Sequence, residues 1–324
     1  MKKWVPIWCV ILLQVFLVQK VEAQASTACE YVLGSGRQPA LMALDYVHSS
    51  IWVTLFQSNQ LIELSLNNPP CGVIRTLNSS GSSPYGIAFD GTNIWETNNA
   101  SNTLGIINAT TGALVASLGG LGYPFSQPRG VVFDGIYIWV ANYGNNTVSK
   151  VRASDHAYMA TIVVGSGPYA LAVNSNDNSI WVPNRNSHTI SVIANSGTVT
   201  MTLQTDSEPQ FVALGVNGNM WVSCYSAGTV EEFSTSGTLL RRVNPTASGK
   251  VGGPTGIAWN PVDSLLWGAS NSGYVYSIDA NGIVGNITFR GGSGHAHIGV
   301  LWTDQNGQFW STDTGGGIIE KLIP

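Results

Sequence analysis

Residues 130–151, "GVVFDGIYIWVANYGNNTVSKV", hold three apolar runs of five or six residues each. Asp134-Gly135 separates the first two runs and a polar Gly-Asn-Asn loop precedes the third. Runs this short, rich in Val, Ile and aromatic side chains, read as strand, tight turn, strand, loop, strand. The same sentence recurs along the chain. Trp139 has counterparts at Trp52, Trp95, Trp181, Trp221, Trp267 and Trp310, with successive spacings of 43, 44, 42, 40, 46 and 43 residues. A proline stands 11 to 13 residues before each of the first six tryptophans: Pro39, Pro84, Pro128, Pro168, Pro209 and Pro254. In the seventh unit "HIGVLWTDQNGQFW" aligns without a gap on "PTGIAWNPVDSLLW", which puts His297 in the place of Pro254.

A period near 43 residues with four strand-sized runs per unit is the signature of a propeller blade. In the third unit the strands are expected at 129–133, 137–142, 147–152 and 158–164. The fold class is therefore all-β: a seven-bladed β-propeller of four-stranded antiparallel blades, with residues 24–324 as one domain. After Trp310 only one further strand fits before Pro324, so the last blade lacks its outer strand. The orphan segment "ACEYVLG" (28–34) is expected to supply it and close the ring, because an open ring would leave raw sheet edges. The tryptophans are expected to fill the gaps between neighbouring blades. Gly86, Gly130, Gly256 and Gly299 let backbones crowd near the axis. Asp90-Gly91 and Asp134-Gly135 form the turns between the first two strands.

Residues 1–23 combine Lys2 and Lys3, an apolar stretch from Trp4 to Val18, and Val21-Glu22-Ala23, the pattern of an export signal. The mature protein is expected to be secreted or periplasmic, without a membrane span, and a monomer. Cleavage near Ala23 leaves 11 basic and 17 acidic residues, a net charge of −6. Scattered cations in an acidic chain argue against nucleic acid as a partner. Of the three remaining cysteines, Cys29 and Cys71 are the expected disulfide pair in an oxidising compartment, and Cys224 is expected to be a small buried residue.

Propeller geometry points to a site. Pro-x-Gly opens the innermost strand and Trp-x-x-Asn closes the next, antiparallel one, so both lie at one mouth of the central channel. The x positions are Ala40, Tyr85, Arg129, Tyr169, Gln210, Thr255 and Ile298. The positions three after tryptophan are Leu55, Asn98, Asn142, Asn184, Cys224, Ser270 and Asp313. Tyr85, Arg129, Tyr169, Gln210, Asn98, Asn142, Asn184 and Asp313 form the expected polar rim. Each asparagine has an alternative task in capping its own loop. Arg129 either binds a carboxylate through its fork or pairs with Asp134 or Asp313. The segment "GGSGHAHIG" (291–299) adds His295 and His297 at the entry of the seventh repeat. With Asp304 or Asp313 they could hold a divalent metal, or they are solvated imidazoles on a Gly-rich loop.

"IWVAN", "IWVPN" and "IWETN", followed by "NTV", "HTI" and "NTL", resemble the Tyr-Val-Thr-Asn repeat of the YVTN family of exported bacterial propellers, with Trp in place of Tyr. The pattern is also distantly similar to NHL-type and virginiamycin B lyase-type propellers. The resemblance implies the fold and leaves binding proteins, lyases and lactonases as relatives in activity. The leading expectation is a non-enzymatic propeller that binds a small polar ligand or a protein partner at the channel mouth. The alternative is a metal-dependent lyase or hydrolase resembling virginiamycin B lyase, with His295 and His297 as base or ligands. Lyase-type repeats tend to carry His in the x place of Pro-x-Gly, where this chain has Tyr, Arg, Gln or Thr. No acidic metal cluster of the gluconolactonase kind is visible in the sequence.

Overall fold

The computed structural model describes residues 26–33, 36–67, 72–245, 252–289, 298–303, 309–314 and 316–323. They form seven four-stranded antiparallel sheets arranged as the blades of a propeller. The third blade shows how the repeat folds. Its strands are Pro128–Phe133, Tyr137–Asn142, Thr147–Arg152 and Tyr158–Val163, paired in that order from the axis outward. Between the first two, Gly135 takes a φ of 100°, which a side chain would oppose. The Asp134 carboxylate accepts the Ile136 and Tyr137 amides at 2.8 and 2.7 Å. Its other oxygen accepts the Trp139 indole N–H at 2.7 Å. Asp90 repeats all three tasks with Thr92, Asn93 and Trp95 in the second blade. One carboxylate thus makes the turn and orients the blade's largest side chain.

Each of the seven tryptophans is almost wholly removed from solvent. Trp139 packs against Leu171, Ile180, Val182 and Ile193 of the fourth blade, and Trp95 against Val131, Ile138 and Val140 of the third. Trp310 closes the circle by packing on Met42, Ile51 and Val53 of the first blade. The indoles therefore join one sheet to the next around the ring. Each hides an apolar body of ~150–250 Å².

The N-terminal strand Ser26–Val32 lies antiparallel to Ile318–Ile323, completing the sheet that also holds Phe309–Asp313 and Ile298–Thr303. The last blade is thus built from both ends of the chain, as the orphan segment implied. The Cys29–Cys71 pairing lies outside the described residues. Cys224 is a free, buried thiol, and burial pushes its pKa up, away from thiolate reactivity.

The prolines begin the innermost strands and face the position three after tryptophan: Pro84 opposite Asn98, Pro128 opposite Asn142, Pro254 opposite Ser270. Immediately after the proline the register shifts, so the x residue sits in a bulge. Bulges re-aim side chains, and these turn the x residues toward the mouth. Crowding there is severe. A Cβ on Gly86 would lie 2.0 Å from the Arg129 carbonyl oxygen, and one on Gly130 would lie 2.8 Å from Tyr169 O and Ala170 Cα. The fourth blade departs from the pattern. Its innermost strand shrinks to Ala172–Asn174, and Pro168 reaches Asn184 through an isolated bridge.

Candidate functional site at the channel mouth

Hydroxyl groups lock the rim from blade to blade. Thr54 donates to the Tyr85 carbonyl at 2.7 Å, Thr97 to the Arg129 carbonyl at 2.6 Å, and Thr312 to the Ala40 carbonyl at 3.2 Å. In each case a threonine two residues after the blade tryptophan fixes the x residue of the following blade. The sequence carries this signal in "IWVT", "IWET" and "FWST", but Ala141, Pro183 and Ala269 interrupt it in other repeats.

On this frame the x side chains converge. Tyr85 and Tyr169, 84 positions apart, share a hydrogen bond between their hydroxyls at 2.5 Å, with ring centroids 6.0 Å apart and perpendicular. Burial among neighbouring rings raises the Tyr85 phenol well above its usual range, and the adjoining Tyr169 adds to that, so Tyr85 stays neutral and acts as a donor or acceptor of hydrogen bonds. The guanidinium carbon of Arg129 lies 4.1 Å from the Tyr143 ring centroid, 4.6 Å from Tyr169 and 5.4 Å from Tyr85. Arg185 lies 5.8 Å from Tyr169 and 6.0 Å from Tyr225, and is paired with Glu208 at 3.0 Å.

Beside this cluster is a cavity of about 310 Å³. Its aromatic wall is Phe56, Tyr85, Tyr169, Phe211 and Tyr225, and its polar positions include Gln210, Thr255, Asn271 and Thr314. Asn271 donates to the Tyr225 hydroxyl at 2.7 Å, which fixes both groups in the wall. A second, larger space of about 610 Å³ follows the innermost strands down the channel and shares Leu41 and Phe211 with the first.

The sequence-derived candidates divide into three sets. Tyr85, Arg129, Tyr169 and Gln210 meet at the mouth. Asn98, Asn142 and Asn184 are fully buried, and their side chains tie strands together. The Asn142 amide donates to Thr147 and Ser149 at 3.1 and 2.8 Å, and that of Asn184 to Thr189 and Ser191 at 3.1 and 3.0 Å. Asn98 donates to Ser80 and accepts from Ser79. Asp313 is buried and accepts the Gly316 amide at 2.9 Å, holding the turn after its strand. His295, His297 and Asp304 lie outside the described residues. Among the described residues no group of three or more His, Cys, Asp or Glu stands close enough to hold a metal ion. Asp134, one proposed partner of Arg129, is occupied by its turn and Trp139.

Sequence reasoning missed Tyr143, Phe56, Phe211, Tyr225 and Asn271. Tyr143 and Tyr225 each stand four after the blade tryptophan, one place beyond the position read as the rim. Their common offset was the available signal.

Fold and site together define a seven-bladed propeller with an aromatic pocket at one end of its axis. The sequence model of the virginiamycin B lyase family matches residues 74–324, and the chain belongs to that family. The first three strands of the first blade precede the matched region, yet they complete the ring. Among solved structures, a streptogramin B lyase superposes with a TM-score of 0.77 at 18% identity, covering 91% of this chain and 96% of that one. Selenomethionine-substituted virginiamycin B lyase from Staphylococcus aureus gives a TM-score of 0.78 at 16% identity, over 93% of this chain and all of that one. A catalytically inactive variant of the same enzyme with quinupristin gives 0.78 at 17% identity, with coverage of 93% and 100%. At such identities the likeness is one of fold. No curated protein sequence matches the chain.

Proposed function

We propose that the protein is an exported binding propeller that takes a small organic ligand, with a flat apolar face and a hydrogen-bonding edge, at the channel mouth. The carrying observation is the cavity of about 310 Å³ in which rings from separate blades face amide and hydroxyl groups. That volume falls at the lower end of the ~300–1,000 Å³ usual for ligand pockets. The site is preorganised: the Tyr85–Tyr169 and Asn271–Tyr225 bonds hold its walls, and threonine bridges hold its backbone. Little side-chain freedom is then lost on binding. Export rests on the basic, apolar and small-residue pattern of residues 1–23. The test is saturation-transfer NMR with a panel containing phenylacetate, 4-hydroxyphenylacetate, glucose and quinupristin. Signals should appear for one or more aromatic members and vanish in Thr314→Trp, which fills the pocket from a turn. Signals unaffected by that substitution would place the ligand elsewhere.

Family membership supports a second reading, a lyase whose substrate is akin to virginiamycin B or quinupristin. Under it, the chain converts quinupristin to a new product, and His297→Ala abolishes the conversion. Chromatography with tandem mass spectrometry of quinupristin after prolonged incubation separates the readings, because an elimination within one molecule leaves its mass unchanged: an unaltered elution time and fragment pattern favour binding alone.

A further inference from the structure

Arg129 is a half-buried cation that faces no carboxylate among the described residues. Five other arginines, Arg75, Arg152, Arg185, Arg241 and Arg242, each face a carboxylate at 3.0 Å or less. Arg129 has no such pair among the described residues, and its buried Nε has no hydrogen-bond partner. Three tyrosine rings surround it instead. Ring faces stabilise a cation, the more so the further it is desolvated. They accept none of its five N–H donors in the plane of the fork. A guanidinium already stripped of part of its water and held in place is an anion receptor whose ordering cost has been met before the ligand arrives.

We infer that the mouth selects ligands bearing a single carboxylate, which docks on the Arg129 fork while the ligand's planar body lies against Tyr85 and Tyr169. This rests on the binding reading above and narrows it to one ligand class. Arg129 flanks the cavity walled by those two rings, so the carboxylate and the planar body occupy adjoining places. Arg185, which also lies beside the Tyr169 ring, is already paired with Glu208 and does not compete. Tyr85, kept neutral by burial, adds no negative charge that would repel the acid.

The test compares 4-hydroxyphenylacetate with its neutral isostere, 4-hydroxyphenylacetamide, by saturation-transfer NMR titration. The acid should bind at least ten-fold more tightly than the amide, and the preference should shrink as salt rises. Arg129→Gln should bring the two probes to within about two-fold, and Arg129→Lys, with its charge but no fork, should fall between. Arg152→Gln, which removes a remote exposed charge, should leave the preference intact. Thermal melts confirm that each variant is folded. Equal binding of acid and amide, or a preference that survives Arg129→Gln, overturns the carboxylate inference while leaving a mouth site in place. Failure of both probes and of phenylacetate to bind, with signals from glucose or quinupristin, overturns the inference alone. Failure of the entire panel overturns both.

Discussion

Replacing Trp139 by Ala probes the element that links blade to blade. The indole is fully buried between the third and fourth sheets. Taking ~200 Å² of buried area at ~25 cal/mol per Å² gives about 5 kcal/mol as an upper figure. Large-to-small substitutions of buried aromatics cost ~3–5 kcal/mol, because neighbours collapse only partly into the void. Asp134 loses its indole bond but keeps two backbone amides and an Asn195 amide at 3.2 Å, so its carboxylate is not orphaned. Lys150, whose ammonium lies 4.6 Å from the Trp139 ring centroid, loses one of two aromatic neighbours. The expected loss is about 4 kcal/mol, read from urea unfolding followed by circular dichroism, since fluorescence changes with the residue itself. Trp139→Phe keeps an apolar body and forfeits the charged hydrogen bond, for a loss of ~1.5–3 kcal/mol. Leu121→Ala, at a fully exposed side chain, should stay within ~0.5 kcal/mol of wild type. A Trp139→Ala protein within ~1 kcal/mol of wild type would refute the claim that indoles join the blades.

Three further outcomes follow from particular residues. Burial raises the pKa of Glu96, whose Oε1 accepts the Ser80 amide while Oε2 is buried and unpartnered. The folded state then holds a proton that the unfolded chain releases, so stability should fall as pH rises above the ordinary value of 4.5; Glu96→Gln should flatten that decline in pH-dependent thermal melts. Gly86→Ala sets a Cβ against the Arg129 carbonyl and should cost at least ~2 kcal/mol, seen as a melting temperature lower by several degrees. Tyr31→Pro, in the closing strand opposite Ile319, should destabilise by about 3 kcal/mol and speed hydrogen exchange in residues 318–323, whereas unchanged exchange there would mean the strand does not close the ring.

The ring was readable because its cause is local and repeated. Seven tryptophans at one offset, six prolines before them and turn-forming Asp-Gly pairs each state a backbone requirement in a single residue. The third blade's strands lie within one residue of the positions expected from its pattern. The closing strand was readable by subtraction, since segment 28–34 had no partner nearby and the last blade lacked one. The site was legible in part. Tyr85, Arg129 and Tyr169 announce themselves because each directly follows the proline that opens its repeat. The asparagines did not, because an amide three after tryptophan can face the mouth or turn inward. The hydroxyl pairs Thr147 with Ser149 and Thr189 with Ser191, on the adjoining strand, draw it inward. Tyr143 and Tyr225 were hidden for a different reason. Both lie one residue past the strand end, where strand alternation stops and only the offset from the tryptophan marks them; Tyr143 packs on Arg129 and Tyr225 enters the cavity wall.

Diffraction from crystals soaked with the panel member of strongest NMR signal would test the central claim most directly. The account places its density at the channel mouth, against Tyr85 and Tyr169 and within reach of Gln210 and Asn271. Density confined to the channel between the innermost strands, or on the outer face of a blade, would contradict it.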